Sequence, residues 1–116
     1  MLLLVAALAV CGPGPRDHCV HDGDTLWFEG EKIRIADIDT PELNGDCPSE
    51  RALAVRARQR LIFLLNAGSF EIERSGTDRY GRTLAVLHRS GRSIGDQLVS
   101  EGLARTWNGR RESWCA

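Results

Sequence analysis

Lysine is nearly missing from this chain: Lys32 stands alone against fourteen arginines, and the formal net charge is -1. That balance excludes a strongly basic coat that would hold nucleic acid by charge density alone. The arginine-only habit is informative in another way. A guanidinium presents a rigid planar fork that matches phosphate and carboxylate bidentately, so the usage suits phosphate handling, although GC-rich coding produces the same bias. Long apolar runs are also lacking. The one apolar stretch, "MLLLVAALAVC", is eleven residues long, and a membrane-spanning helix needs roughly 20. No two cysteines stand two to four residues apart, which removes the usual zinc-site spacing. There is no internal repeat, low-complexity tract or block of like charge.

At 116 residues the chain reads as one domain with a modest core of its own. The apolar start is broken by "GPGP", through which no helix or strand continues. Residues 1–15 are expected to be an export signal or a truncated membrane-targeting segment, with Ala7-Leu8-Ala9 as a small-residue cleavage pattern. A basic stretch before it is missing. Leu8-Ala9-Val10-Cys11 loosely resembles a lipoprotein signal, which leaves tethering as the other reading of an exported, periplasmic or secreted protein. Export places Cys19, Cys47 and Cys115 where a disulfide persists, and leaves one of the three over.

From residue 19 strands come first. Thr25-Leu26-Trp27-Phe28, a turn at Glu29-Gly30-Glu31 and a second strand over 32–38 make a β-hairpin signal. Ile33 and Ile35 alternate correctly, but Ile38 has the opposite parity, so a β-bulge is expected near Ala36-Asp37. With it, Arg34 and Asp39 point the same way. A helix follows, with Asp46 or Cys47 as cap, Pro48 at its first position, apolar Leu53, Ala57, Leu61, Leu64 and Leu65, and a stop at Asn66-Ala67-Gly68. Arg51, Arg56, Arg58 and Arg60 read as its solvated face. Strands are expected at about 70–74 and 83–88, then a turn at 89–92, and a second helix capped by Ser93 and ended by Gly102. This order favours an α+β domain with a largely antiparallel sheet.

The stretch "DIDTPEL" places three carboxylates in seven residues. Asp39 and Glu42 have capping-box spacing, but the turn formers that follow leave no helix to cap. A hairpin instead brings "DGDT" (22–25) at one strand's start to "DTPE" (39–42) at the other's end. Each fragment alone reads as a turn; together they read as a site. Asp24 and Asp39 can then offer oxygens to a hard cation of the calcium type. An EF-hand is excluded, because counting from Asp22 puts Trp27 at the obligatory glycine.

The fragments DGDT, RIADIDTPE and DRYGR, in this order, resemble the staphylococcal nuclease (thermonuclease) family from about Val20 to Trp107. The resemblance implies a five-stranded OB-type barrel with packed helices and, by the family's pattern, a shortened C-terminus, with residues 16–116 as the nuclease domain. It also implies Ca2+ bound by the Asp24 and Asp39 carboxylates and the Thr40 carbonyl, with Asp22 behind them. Glu42 matches the general base, and Arg34 and Arg82 match two phosphate-clamping arginines. The implied activity is a calcium-dependent endonuclease acting as a phosphodiesterase on DNA and RNA, single-stranded or frayed, leaving 3'-phosphates. No stable protein partner is implied and a monomer is expected. The loop between Glu42 and the first helix is short, and in place of the family's base-stacking tyrosines only Trp107 is near. Trp107 reads equally as a stacking platform or a core residue.

Two other classes are open. One is an inactive nucleic-acid-binding module of the same fold, which retention of the ligand, base and clamp residues argues against. The other is a calcium-stabilised structural domain, for which an arginine beside the acidic cluster has no use.

Overall fold

The computed structural model describes residues 7–116. The start of the apolar leader, residues 1–6, lies outside the described residues. The elements are β1 (Ala9–Val10), β2 (Cys19–Asp22), β3 (Thr25–Phe28), β4 (Glu31–Ile35), β5 (Ile38–Asp39), α1 (Pro48–Asn66), β6 (Glu71–Thr77), β7 (Thr83–Arg89), β8 (Arg92–Ser93), α2 (Ile94–Ser100) and β9 (Arg105–Thr106). Five strands, β2, β3, β4, β6 and β7, carry the barrel; the other four are two-residue pairings. The main sheet runs β1-β2-β3-β4-β7-β6, with β8 beside β7. Its pairs are antiparallel except β1 with β2 and β4 with β7. The architecture is the α+β, OB-type one.

The hairpin of β3 and β4 forms because alternation sends Leu26, Ile33 and Ile35 fully inward. Its turn is Glu29-Gly30, both at positive φ, as a two-residue hairpin of this twist requires. One strand precedes it that the apolar pattern does not announce: Cys19–Asp22 pairs with β3, so Asp22 to Thr25 is the turn joining two strands rather than the start of the first. The expected bulge at Ala36-Asp37 is a full departure from the sheet. Beyond Ile35 the chain turns, and Ile38 and Asp39 pair with Thr106 and Arg105 in a separate two-stranded sheet. The parity switch at Ile38 is met by a change of partner strand. The register shifts lie elsewhere, between Val20 and Asp22 and between Arg74 and Gly76.

Helix α1 starts at Pro48 with Cys47 as cap and ends at Asn66. Its buried stripe is Glu50, Ala54, Ala57, Leu61 and Leu65, with Leu53 and Leu64 half-buried at its edges. Two of the arginines read as a solvated face are engaged. Arg60 forms a two-pronged pair with Glu101 at 2.7 and 3.0 Å, tying α1 to the end of α2, and Arg51 donates to the Gly45 carbonyl. Ser93 Oγ accepts from the Asp96 amide at 3.1 Å and caps α2, and Gly102 follows at φ 75°. Val20, Leu26, Ile33, Ile35, Ile38, Leu61, Leu87 and Leu98 meet as one core. Each such side chain contributes about 1.5–3 kcal/mol on burial.

All four cysteines are paired. Cys47 bonds Cys115, and Cys19 bonds Cys11, which accounts for the cysteine left over in the three-cysteine count. Within the segment read as an export signal, Leu8 is buried, Ala9–Val10 pairs with β2, and Cys11 is anchored by its disulfide. No helix among the described residues is long and apolar enough to cross a membrane.

Candidate active site

The outer face of the β3–β4 hairpin carries Thr25, Trp27, Lys32 and Arg34, set opposite one another as Thr25 with Arg34 and Trp27 with Lys32. This face floors an open cleft of about 760 Å³. Asp22, Asp24, Arg34, Asp39, Thr40, Glu42, Arg82 and Trp107 all line it. The eight residues come from the β2–β3 turn, β4, the chain from β5 onward, the end of the β6–β7 loop and the segment after β9.

The acidic corner is almost dry. Asp24, Asp39 and Thr40 are buried. Asp24 accepts from the Thr25 hydroxyl at 3.1 Å and the Thr40 amide at 3.4 Å, and its Oδ2 lies 3.6 Å from Arg34 Nη2. Asp22 stands behind it, its Oδ1 accepting from the Asp24 amide at 3.2 Å. Burial, and then the charge of Asp24, push the Asp22 carboxyl up to about 7. Burial also raises Asp39, against the opposing pull of Arg111 and a Trp114 hydrogen bond. Close approach explains Gly23 in the turn: a Cβ there meets Thr40 Cγ2 at 2.9 Å.

Arg34 is locked by donating from Nη1 to the carbonyls of Ile35 and Ile38, so the departure of the chain at 36–37 is what fixes its guanidinium. Arg82 is held from the other wall. Its Nε donates to Asp78 Oδ2 at 2.7 Å, while Asp78 Oδ1 accepts from the Tyr80 and Arg82 amides at 2.9 Å each. The DRYGR turn is thus closed on its own aspartate. Glu42 is exposed in part, and its Oε1 accepts from Arg111 Nη1 at 2.6 Å. Its backbone is fixed by the buried Glu50, whose carboxylate accepts from the Glu42 amide at 3.0 Å and the Asp46 amide at 3.1 Å. A Cβ at position 45 meets the Glu50 side chain at 2.4 Å, so a larger residue there must displace the carboxylate that holds the loop.

Trp107 is not core. It is 39% exposed at the cleft wall, its amide donates to the Asp37 carbonyl at 2.9 Å, and the Arg34 guanidinium lies 5.9 Å from its ring centroid. Three site residues escape sequence reasoning: Arg111, Trp114 and Glu50. Arg111 Nη2 lies 3.9 Å from Asp39 Oδ1 in addition to its bond to Glu42, and Trp114 Nε1 faces Asp39 Oδ2 at 3.4 Å. The Cys47–Cys115 bond brings that tail to the site. The signal present in the sequence is the spacing of Cys115 just beyond Arg111 and Trp114, which carries meaning only once its partner is known.

The donor chemistry of the corner fits a hard cation. Two nearly buried carboxylates, Asp24 and Asp39, stand beside the Thr40 main chain, the Thr40 hydroxyl oxygen is buried with no partner, and burial raises two of the three acids. All are oxygen donors, as calcium or magnesium prefer. Among the described residues, Cys47, Glu50 and Cys115 also bring potential ligand atoms within 4.8 Å of one another, but both thiols are spent in the disulfide.

An OB-type barrel that gathers three acids, Glu42 and two arginines in one cleft is an arrangement suited to a phosphate group. Residues 32–114 match the family model for staphylococcal nuclease homologues, and the chain belongs to that family. It is 30% identical over 113 residues to an uncharacterized endonuclease of Haemophilus influenzae, covering 90% of this chain and 60% of the relative. It is 35% identical over 91 residues to endonuclease YncB of Bacillus subtilis, covering 72% and 43%, and 35% identical over 96 residues to a micrococcal nuclease of Shigella flexneri, covering 72% and 52%. The chain spans about half the length of the curated relatives it matches.

Proposed function

We propose that the chain is a nuclease domain: a calcium-dependent phosphodiesterase that cleaves DNA and RNA and leaves 3'-phosphates. The observation that carries this reading is the single cleft in which Asp24, Asp39, Glu42, Arg34 and Arg82 converge. Relatives in the same family include an endonuclease and a micrococcal nuclease, which favours the same reading.

In this reading Glu42 orients a water in line with the 5'-oxygen and takes its proton as the new phosphorus–oxygen bond forms and the bond to the 5'-oxygen breaks. Arg34 and Arg82 donate to the non-bridging oxygens, whose charge grows in the five-coordinate transition state. Both guanidiniums are already positioned, by the Ile35 and Ile38 carbonyls and by Asp78, so little reorganisation accompanies the reaction. Arg111 holds the Glu42 carboxylate while Glu50 holds its backbone amide, and Arg111 acts as a positioning residue. Asp24, Asp39 and the Thr40 carbonyl would hold the ion, with Asp22 buttressing Asp24. When bound, calcium supplies charge neutralisation and a coordination site for water and phosphate oxygen. Trp107, exposed at the wall, offers a stacking face for a base of a single or frayed strand.

Export, as a monomer, belongs to the same proposal. The two disulfides are the state an oxidising compartment maintains, and a cut after Ala9 would keep Cys11 with its partner Cys19.

The test is degradation of plasmid DNA and of a structureless RNA by the full chain, in calcium and in excess chelator. Loss of both substrates in calcium alone is expected, with 3'-phosphate ends on the products. Persistence of cleavage in chelator removes the ion from the reaction, and failure to cleave in calcium leaves a binding module.

A further inference from the structure

The cleft continues past the reacting residues along the hairpin's outer face, where Arg16, His21, Trp27 and Lys32 also line it. Arg16 Cζ lies 4.6 Å and Lys32 Nζ 4.9 Å from the Trp27 ring centroid. Such cation–π contacts hold a charge in place without neutralising it. Neither cation forms an ion pair among the described residues, and neither does Arg58, in contrast to Arg34, Arg60, Arg74, Arg82 and Arg111. Burial followed by the charges of Arg16, Lys32 and Arg58 lowers the His21 pKa, so the local field is net positive. His21 sits in the register shift between Val20 and Asp22 and lines the cleft.

Spacing connects this group to the reaction. Lys32 and Arg34 are two residues apart on one strand and share its outer face. The rise between them is about 6.5 Å, a step that one nucleotide of an extended backbone bridges. With Arg34 on the reacting phosphate, the neighbouring phosphate falls at Lys32.

We propose that Arg16, Lys32 and Trp27 form a subsite for the phosphodiester adjoining the reacting one, on a single strand laid along the outer face of the β3–β4 hairpin. The inference rests on the nuclease reading for the identity of the strand, and on this hairpin alone for the subsite. Trp27 is the positioning residue: its ring holds both cations facing the cleft, and the two cations make the contact. Each exposed contact is weak, so the subsite acts by adding grip on longer strands rather than by changing the reaction.

The experiment compares wild type with Arg16→Ala/Lys32→Ala and with Trp27→Phe, which keeps a ring but shrinks the platform. Two quantities are read. One is the ratio of kcat/KM for a labelled deoxyoctanucleotide to that for a dinucleotide, at saturating calcium. The other is the salt slope of octanucleotide binding without calcium. The double variant should lose about tenfold in the ratio, and its slope should fall by about 0.7 for each phosphate contact removed on a single strand. Trp27→Phe should fall between. If wild type cleaves and the double variant keeps both the ratio and the slope, the subsite is overturned and the nuclease reading stands. If wild type cleaves nothing yet the slope falls in the variant, the nuclease reading fails while the subsite is supported. A wild type that shows neither cleavage nor salt-dependent binding overturns both.

Discussion

In the proposed reaction Glu42 has one task that its shape alone cannot perform. Glu42→Gln keeps the contacts to Arg111 and leaves the backbone bond to Glu50 untouched, but cannot accept a proton at neutral pH. Turnover should therefore drop by about 10²–10⁴-fold, the usual worth of a positioned base, with little change in oligonucleotide binding. For the clamp, Arg82→Lys keeps the charge but loses the fork, and the expected loss is about 10²–10³-fold in single-turnover rate. Recovery of wild-type rate by lysine would reduce Arg82 to an electrostatic tether. A third residue-scale prediction concerns stability. Hydrogen bonds from Arg74 and Thr83 lower the Glu31 carboxyl from its ordinary 4.5 to about 2. The folded value lies below the unfolded one, so the contribution is complete above about pH 4.5 and is lost as pH falls toward 2. The pair is partly exposed, and solvent screening keeps its contribution small. Tm measured from pH 6 to 2 should fall less steeply in Glu31→Gln than in wild type; parallel curves would show that the pair contributes nothing.

Two elements hold the short loop that presents Glu42. The first is the start of α1, where Glu50 accepts from two loop amides inside the fold. Glu50→Ala leaves two donors unpaired, at about 1–3 kcal/mol of stability. It should also cut kcat, because Glu42 loses its register. A stability loss with unchanged kcat, read from urea unfolding beside turnover, would confine Glu50 to the scaffold. The second is the tail closed by Cys47–Cys115, which spans 68 residues. By chain entropy that closure contributes about 4 kcal/mol. It also delivers Arg111 and Trp114 to Asp39 and Glu42. Cys47→Ser/Cys115→Ser should unfold at lower denaturant and, where still folded, show a weaker turnover. Arg111→Ala should reproduce the turnover defect without the loss of stability. If only the disulfide variant is impaired, Arg111 is an onlooker.

At the scale of the molecule, local signals were legible and distant ones were not. The hairpin, both helices, the Ser93 cap and the Gly102 stop follow from alternation, helical spacing and end chemistry carried by neighbouring residues. The approach of DGDT to DTPE was legible in part, since the hairpin pairs Thr25 with Arg34 and leaves both fragments at the same end, while the final placement of Asp39 depends on its pairing with Arg105. The strand Cys19–Asp22 hides because His21 interrupts its alternation at a register shift. The parity change at Ile38 was visible, but a bulge and a change of partner strand produce the same pattern, and the partner, Arg105–Thr106, lies 66–68 residues on. Arg111 reaches Glu42 across 69 residues and Trp114 reaches Asp39 across 75, contacts that no window of sequence contains. The Arg60–Glu101, Arg74–Glu31 and Arg111–Glu42 pairs join residues 41, 43 and 69 apart, whereas Arg34 and Arg82 are held by neighbours in sequence, Ile35 and Ile38 for the first and Asp78 for the second.

In the proposed reaction one cleft hydrolyses phosphodiesters with Glu42 as base and Arg34 and Arg82 as clamp. The most direct measurement is single-turnover cleavage of a short end-labelled oligonucleotide at saturating calcium by wild type, Glu42→Gln and Arg34→Lys. Wild type is expected to cleave to a 3'-phosphate, and each variant to lose about 10²-fold or more with binding retained. Wild-type cleavage that survives within a few-fold in both variants would contradict the proposed reaction.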